Sequence, residues 1–267
     1  MDPTTPKTGA LTPPVGREPA RDVVDDPFAH HPELRSRIAD AETSFFRDFQ
    51  LETAIDKHPE LAALGPWAYS DNDREALRRK ALDGHEGDLW IFAYGSLIWD
   101  PALRFVEVRR AFLPGYARRL ILVDTKGARG SEDAPGLFAA LSRGDGCEGV
   151  AFRIAEADVD HETDILFRRE MVGPGYLARR LALTVGDAPA MALTFLADPE
   201  CEDVVPDLAR ADQVDYLACG TGFLGSSYDY LANLVSHLAE LGIDDRHCTA
   251  LLAEVDQHRA ALEKHRP

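Results

Sequence analysis

Residues 89–99 read Leu-Trp-Ile-Phe-Ala-Tyr-Gly-Ser-Leu-Ile-Trp, and a run this apolar and aromatic has to be buried. Leu89 to Ala93 fit a buried strand, and Tyr94-Gly95-Ser96-Leu97 is where that strand hands over to a tight loop. Gly95 permits backbone angles that strain other residues. Adjacent amide N–H groups can then turn toward one point and hold a small anion such as a carboxylate. Taken alone, the same residues also describe a strand followed by an ordinary turn.

Charge narrows the partners. The chain of 267 residues carries 29 Lys+Arg against 46 Asp+Glu, a formal charge of -17, which repels a phosphate backbone or an anionic membrane surface. Nucleic acid and membrane are therefore excluded as main partners; the pairs Arg109-Arg110 and Arg118-Arg119 read either as a local basic patch or, the expected case, as residues that snorkel from strands or hold acidic neighbours. Cys147, Cys201, Cys219 and Cys248 lie far apart with no Cys-x-x-Cys, so neither a disulfide framework nor a zinc site is expected. His30-His31, His161, His237, His247 and His258 form no helical pair with an acid between them, so no metal ligands are assigned. The first residues show no basic-apolar leader pattern and no apolar run approaches membrane-spanning length; a soluble, cytoplasmic protein is expected.

Punctuation by proline and glycine divides the chain. Residues 1–28 hold Pro3, Pro6, Pro13, Pro14, Pro19 and Pro27 with few large apolar groups, and read as a disordered tail. Residues 29–87 read as a helical extension. There the spacing of Leu34, Ile38, Phe45, Phe49 and Ile55 predicts one amphipathic helix from Pro32 to about Lys57. A second helix is predicted over Asp71–Leu82, capped by Ser70 and stopped by Gly84. Phe45, Phe46, Phe49 and Trp67 give this extension a face that packs on the main domain or on a second copy.

The main domain is placed at residues 88–265. Val106–Val108 and Arg118–Val123 read as strands around a Pro114-Gly115 turn, and Leu137–Leu141 and Gly149–Ile154 as a hairpin across Gly144-Asp145-Gly146. Another hairpin joins Leu181–Val185 to Ala190–Leu196 across Gly186-Asp187. Helices are predicted from Glu156 to about Met171, from Tyr228 to Leu241 and from about Asp245 to Lys264. Strands in hairpin succession with helices inserted and appended give an α+β domain around an antiparallel or mixed sheet. Gly-x-Gly-x-x-Gly is missing, and Gly127-Ala128-Arg129-Gly130 lacks the Lys-Ser/Thr of a phosphate-binding loop.

Two further stretches carry chemistry. In Phe167-Arg168-Arg169-Glu170-Met171-Val172-Gly173-Pro174-Gly175-Tyr176, Glu170 falls at a helix C-terminus, where the dipole does not favour an anion. Exposed, it pairs with Arg168 or Arg169; in an apolar pocket its pKa rises and it becomes a proton-transfer group near neutral pH. In Gly220–Leu231 a glycine-rich loop enters a helix, with Ser226-x-x-Asp229 as a capping box. Tyr228 and Tyr230 there are either core wedges or phenolic donors.

Together, WIFAYGSLIW, FRREMVGPGY and GSSYDYL, in that order, resemble the ChaC-type γ-glutamylcyclotransferases of the glutathione-degrading branch. The likeness extends over about Leu89–Leu241, taking in Ala128–Ser131, Ala134–Leu137 and Cys147–Arg153, and does not reach residues 1–87. It implies a small β-barrel with flanking helices and no cofactor. It implies that Tyr94, Gly95, Ser96 and Leu97 cradle the γ-glutamyl group and that Glu170 is the catalytic acid and base. It further implies that Tyr230 contacts the glutamyl carboxylate and that Tyr176 lines the pocket. The expected reaction converts glutathione to 5-oxoproline and cysteinylglycine. Other γ-glutamyl amines or amino acids are the alternative substrates, and a non-catalytic binding module of the same fold is the alternative role. Oligomeric state is left open.

Overall fold

The computed structural model describes residues 26–264, so the proline-rich segment 1–25 lies outside the described residues. Strand β1 (Leu89–Ala93) is buried on both faces, as its uninterrupted apolar sequence requires. It pairs antiparallel with β3 (Ser131–Ile154) and parallel with β5 (Ala188–Ala197). β3 runs antiparallel to β2 (Glu107–Lys126), and β4 (Tyr176–Val185) joins β2 to β5, which closes the five strands into a barrel. Phe92, Phe152, Phe167 and Phe195 are fully buried in its core. The α+β barrel class expected from sequence is the class observed.

Two hairpin readings need different treatment. The β4–β5 turn falls at Gly186, with φ +56°, as expected. The turn expected at Gly144-Asp145-Gly146 does not form: β3 passes straight through it beside β2. Its glycines serve close approach instead, since a Cβ would lie 2.5 Å from the Ala117 Cβ at Gly144 and 2.2 Å from the Phe112 ring at Gly146. Likewise Pro114-Gly115 is a register shift inside a continuous β2, with Gly115 at φ +77°. The chain reverses between β2 and β3 at Gly127–Gly130, where the Gly127 amide donates to the Gly130 carbonyl at 2.9 Å. Further register shifts at Leu120/Leu122 and Asp124/Lys126 let this long ribbon bend around the barrel.

The single helix expected from Pro32 to about Lys57 is also corrected. The segment forms three short 3-10 turns (Pro32–Ser36, Ala41–Thr43, Phe45–Asp48) and then α1 (Leu51–Lys57). Asp40 accepts a hydrogen bond from the Glu42 amide at 2.8 Å and Ser44 one from the Phe46 amide at 3.2 Å. Each side chain restarts the chain in an extended conformation, so local capping defeats the helical periodicity. After the short α2 (Leu64–Trp67), α3 (Asp71–Leu82) forms as expected, with Ser70 accepting from the Asp73 amide. Helix α4 (Val159–Glu170) leads to the Gly/Pro loop. Helix α5 (Arg210–Cys219) is not among the helices predicted from sequence. A two-residue ribbon, β6 (Thr221–Gly222) with β7 (Gly225–Ser226), introduces α6 (Ser227–Glu240), and α7 (Arg246–Lys264) ends the described chain.

The extension packs on the barrel. Leu34 and Ile38 belong to the same buried cluster as β1, and Pro27 and Phe28, assigned to the tail, dock too. The Val108 amide donates to the Pro27 carbonyl at 3.0 Å, and the Phe28 ring meets Phe105 edge-on at 5.5 Å. The strongest tie is ionic. Arg47 makes a two-pronged bridge to Glu162 of α4 at 2.7 and 2.8 Å, with Glu162 fully buried. Removing one member of a buried pair strands the other charge. Arg47→Met is expected to lower the unfolding free energy by about 3 kcal/mol in urea titration, and a loss under about 1 kcal/mol would mean the extension docks without this bridge.

Candidate active site

Strand β1 ends at Ala93, and after Tyr94 and Gly95 a 3-10 turn over Ser96–Ile98 follows. Tyr94 is pinned at both ends: its hydroxyl donates to the Phe195 carbonyl at 2.8 Å, and its carbonyl accepts from Arg118 Nε at 2.6 Å. Arg118, buried, also bonds the Glu148 carbonyl and pairs with Asp245. Arg109 and Arg110 pair with Glu107 and Glu148, so these arginines hold acidic partners as expected.

Gly95 also makes room for a neighbour: a Cβ there would lie 2.9 Å from the Tyr230 hydroxyl. That hydroxyl accepts from the Ala139 amide at 3.2 Å, so its own proton is left for an acceptor in the cavity. The carbonyl of the same Ala139 accepts from the Tyr176 hydroxyl at 2.8 Å. One residue of β3 thus sets both phenols. The guanidinium of Arg129 lies 4.8 Å from the Tyr230 ring centroid and bonds the Leu224 carbonyl, holding the ring from behind. Burial pushes the Tyr94 and Tyr176 phenols well above their ordinary range and Tyr230 to about 12, so all three stay neutral and protonated at physiological pH.

Glu170 closes α4, its side chain only 15% exposed. Burial raises its pKa above the ordinary carboxylate value, and the neighbouring Arg169 opposes that rise without cancelling it. Arg169 Nε lies 3.0 Å from Glu170 Oε1 and Nη2 lies 3.0 Å from Ser96 Oγ; the guanidinium also bonds the Asp100 carbonyl. Of the two partners considered for Glu170, Arg169 is the one observed; Arg168 turns away to Asp164 and the Phe49 carbonyl.

All seven residues singled out from sequence, Tyr94, Gly95, Ser96, Leu97, Glu170, Tyr176 and Tyr230, border one cavity of about 170 Å³. Tyr228 does not: its hydroxyl bonds Asp256 on α7. The sequence reading missed much of the wall, including Lys126, Phe223 and five extension residues, Phe46, Phe49, Leu61, Leu64 and Trp67. Only the clustering of Phe46, Phe49 and Trp67 hinted at it. Among the described residues no His/Cys/Asp/Glu cluster is arranged to hold a metal ion, and no helix is long and apolar enough to cross a membrane.

Residues 89–258 match the family described as ChaC-like protein. The chain belongs to that family. A ChaC-like relative from Escherichia coli (strain K12), a glutathione-specific γ-glutamylcyclotransferase, is 36% identical over 190 residues, covering 71% of this chain and 82% of its own. A human relative, glutathione-specific γ-glutamylcyclotransferase 1, is 34% identical over 183 residues, covering 65% and 81%. In fold, a yeast γ-glutamylcyclotransferase specific to glutathione superposes with a TM-score of 0.60 at 22% identity, over 65% of this chain and 98% of that one. The ChaC-like match begins at residue 89, so the extension that walls the cavity lies outside it.

Two outcomes follow from this geometry. A carboxylate whose pKa the fold raises stabilises the protein only while protonated; that contribution is lost as pH rises through the raised pKa. Glu170→Gln is therefore expected to raise Tm at neutral pH and to lose that advantage in acid, and a lower Tm at pH 7 would contradict the burial cost. Gly95→Ala is expected to be destabilising through Tyr230. The double variant with Tyr230→Phe should lose less than the sum of the singles by at least about 0.5 kcal/mol, and strict additivity would place the clash elsewhere.

Proposed function

We propose that this protein is a γ-glutamylcyclotransferase acting on glutathione, with Glu170 as its proton-transfer group. The observation that carries the reading is a buried carboxylate of raised pKa in the cavity that Tyr94–Leu97 also borders. The sequence relatives named for the same reaction support it.

The chemistry needs little beyond orientation and proton traffic. In glutathione the free α-amine of the glutamyl group can fold back on the γ-carbonyl and close a five-membered lactam. The nucleophile belongs to the substrate, so neither water nor a cofactor enters. Intramolecular attack in a well-held conformer reaches effective molarities of about 10⁵ M or more. The Tyr94–Leu97 loop would hold the glutamyl end, with the Tyr230 hydroxyl donating to its carboxylate. Tyr176, whose proton is committed to Ala139, would serve as wall.

An α-ammonium is not nucleophilic. Glu170 as carboxylate removes its proton, and the freed amine attacks the γ-carbon. As the C–N bond to cysteine breaks, protonated Glu170 gives that proton to the departing nitrogen, and the regenerated carboxylate takes the second proton shed by the new lactam nitrogen and passes it to the departing amine, which leaves as an ammonium. The products are 5-oxoproline and cysteinylglycine. A raised pKa suits both halves of this exchange, since a carboxylate of ordinary acidity is a weak base at neutral pH and holds a proton there too rarely to act as the acid. The reading also places the protein among soluble, cytoplasmic enzymes.

Incubating wild type and Glu170→Gln with glutathione, and following both products by mass spectrometry, tests this directly. Wild type is expected to form 5-oxoproline, and the folded variant to be slower by roughly 10²–10⁴-fold. A variant within about threefold of wild type would remove Glu170 from the mechanism.

A further inference from the structure

The cavity has two chemically different ends. Glu170 and the three phenols line one part of it; in another, Phe49, Leu61, Leu64 and Trp67 of the extension pack in one apolar cluster with Phe223. The two ends are continuous. A Cβ at Gly173, just past Glu170 in the chain, would fall 2.3 Å from Trp67 Cε3, so the indole sits directly on the loop that leaves the carboxylate. The Phe46 ring centroid lies 4.0 Å from the guanidinium carbon of Arg169, the partner of Glu170.

The charged groups at the outer end are already matched. Lys126 Nζ lies 2.7 and 2.8 Å from the two oxygens of Asp203 and 5.1 Å from the Trp67 ring centroid. Asp124 accepts from the Lys126 and Gly130 amides at 2.9 Å each. A leaving group that departs from Glu170 in this direction meets hydrocarbon and closed ion pairs. In glutathione the departing nitrogen is the cysteine α-nitrogen, so the thiol side chain branches one carbon from the reacting bond. An apolar substituent on that sulfur would lie against this wall.

We infer that the extension builds the subsite for the departing amine, and that this subsite favours γ-glutamyl compounds whose amine carries an apolar group, S-alkylated glutathione among them. This rests on the cyclotransferase reading. The step is the same in atoms and electrons: the α-nitrogen bonds the γ-carbon, the C–N bond breaks, and two protons pass in turn from the α-ammonium to the leaving nitrogen. The products are 5-oxoproline and S-alkyl-cysteinylglycine. Trp67 and Phe49 are specificity residues in this scheme.

The test compares glutathione with S-hexylglutathione on the full chain, reading 5-oxoproline release by mass spectrometry for wild type, Trp67→Ala, Trp67→Phe and Phe49→Ala. Wild type is expected to favour S-hexylglutathione by roughly tenfold in kcat/KM, expressed in KM, since each methylene placed in an apolar pocket contributes appreciably. Trp67→Ala and Phe49→Ala should bring the ratio toward unity, and Trp67→Phe should restore part of it. Phe49→Ala decides the matter alone if Trp67→Ala does not fold. Equal or poorer use of S-hexylglutathione by wild type, or a preference unchanged in the alanine variants, overturns the subsite while glutathione cyclisation keeps the underlying reading. No 5-oxoproline from either compound overturns both.

Discussion

A carboxylate taken out of water at the C-terminal end of a helix is the constraint around which this molecule is organised. Glu170 faces both burial and the negative end of the α4 dipole, and the compensating charge comes from the residue beside it in the chain. Arg169 can supply it only if its own planar donors are satisfied. They are, by Ser96 Oγ and the Asp100 carbonyl on the loop after β1, with the Phe46 ring covering its face. Three segments distant in sequence therefore meet at one guanidinium, and the position of each depends on the other two. The offset is incomplete, as the raised pKa of Glu170 shows. In the proposed cyclotransferase reaction, that residual cost is what would suit the group to proton transfer.

The barrel supplies the opposite wall through backbone rather than charge. Because β2 and β3 bend at register shifts instead of turning, β3 carries Ala139 past the cavity with its amide bonded to the Tyr230 phenol and its carbonyl to that of Tyr176. The two hydroxyls are thus used in opposite senses, one accepting and one donating. The close approach of Tyr230 to Gly95 then ties α6 to the loop after β1. Packing at this separation leaves no room for even a methyl group, which is one reason the position is glycine.

The legible parts of the sequence were those where local signals and tertiary packing agree. The β1 run, the Gly186 turn, the Ser70 and Ser226 caps and the apolar stripe of α6 each have a short-range cause, and each appears where expected. Illegible parts had two causes. Gly144 and Gly146 look like a turn because glycine serves tight turns and close strand contacts alike, and only the partner strand distinguishes them. From Leu34 to Ile55 the apolar spacing is helical, yet Asp40 and Ser44 cap short turns of their own, and the tertiary partners of Arg47 reward that broken path. In the site, the barrel residues were visible as motifs, whereas the extension's wall has no motif because apolar side chains at irregular spacing read as core.

The extension's two roles share one turn of backbone. Arg47 reaches Glu162, fully buried on α4, while Phe46 next to it lies against Arg169 at the end of the same helix. Glu162 and Glu170 are about two turns apart, so one 3-10 turn grips the helix at both ends of the stretch that carries the carboxylate. A buried ion pair contributes little net stability over a hydrophobic equivalent, but it tolerates few alternative registers. Used here, it fixes where Phe46 and the chain beyond it sit relative to Glu170. Aromatic packing alone would allow the segment to slide along the barrel mouth. The buried pair is the part of the contact that specifies one position, and the apolar wall of the cavity inherits its placement from that pair.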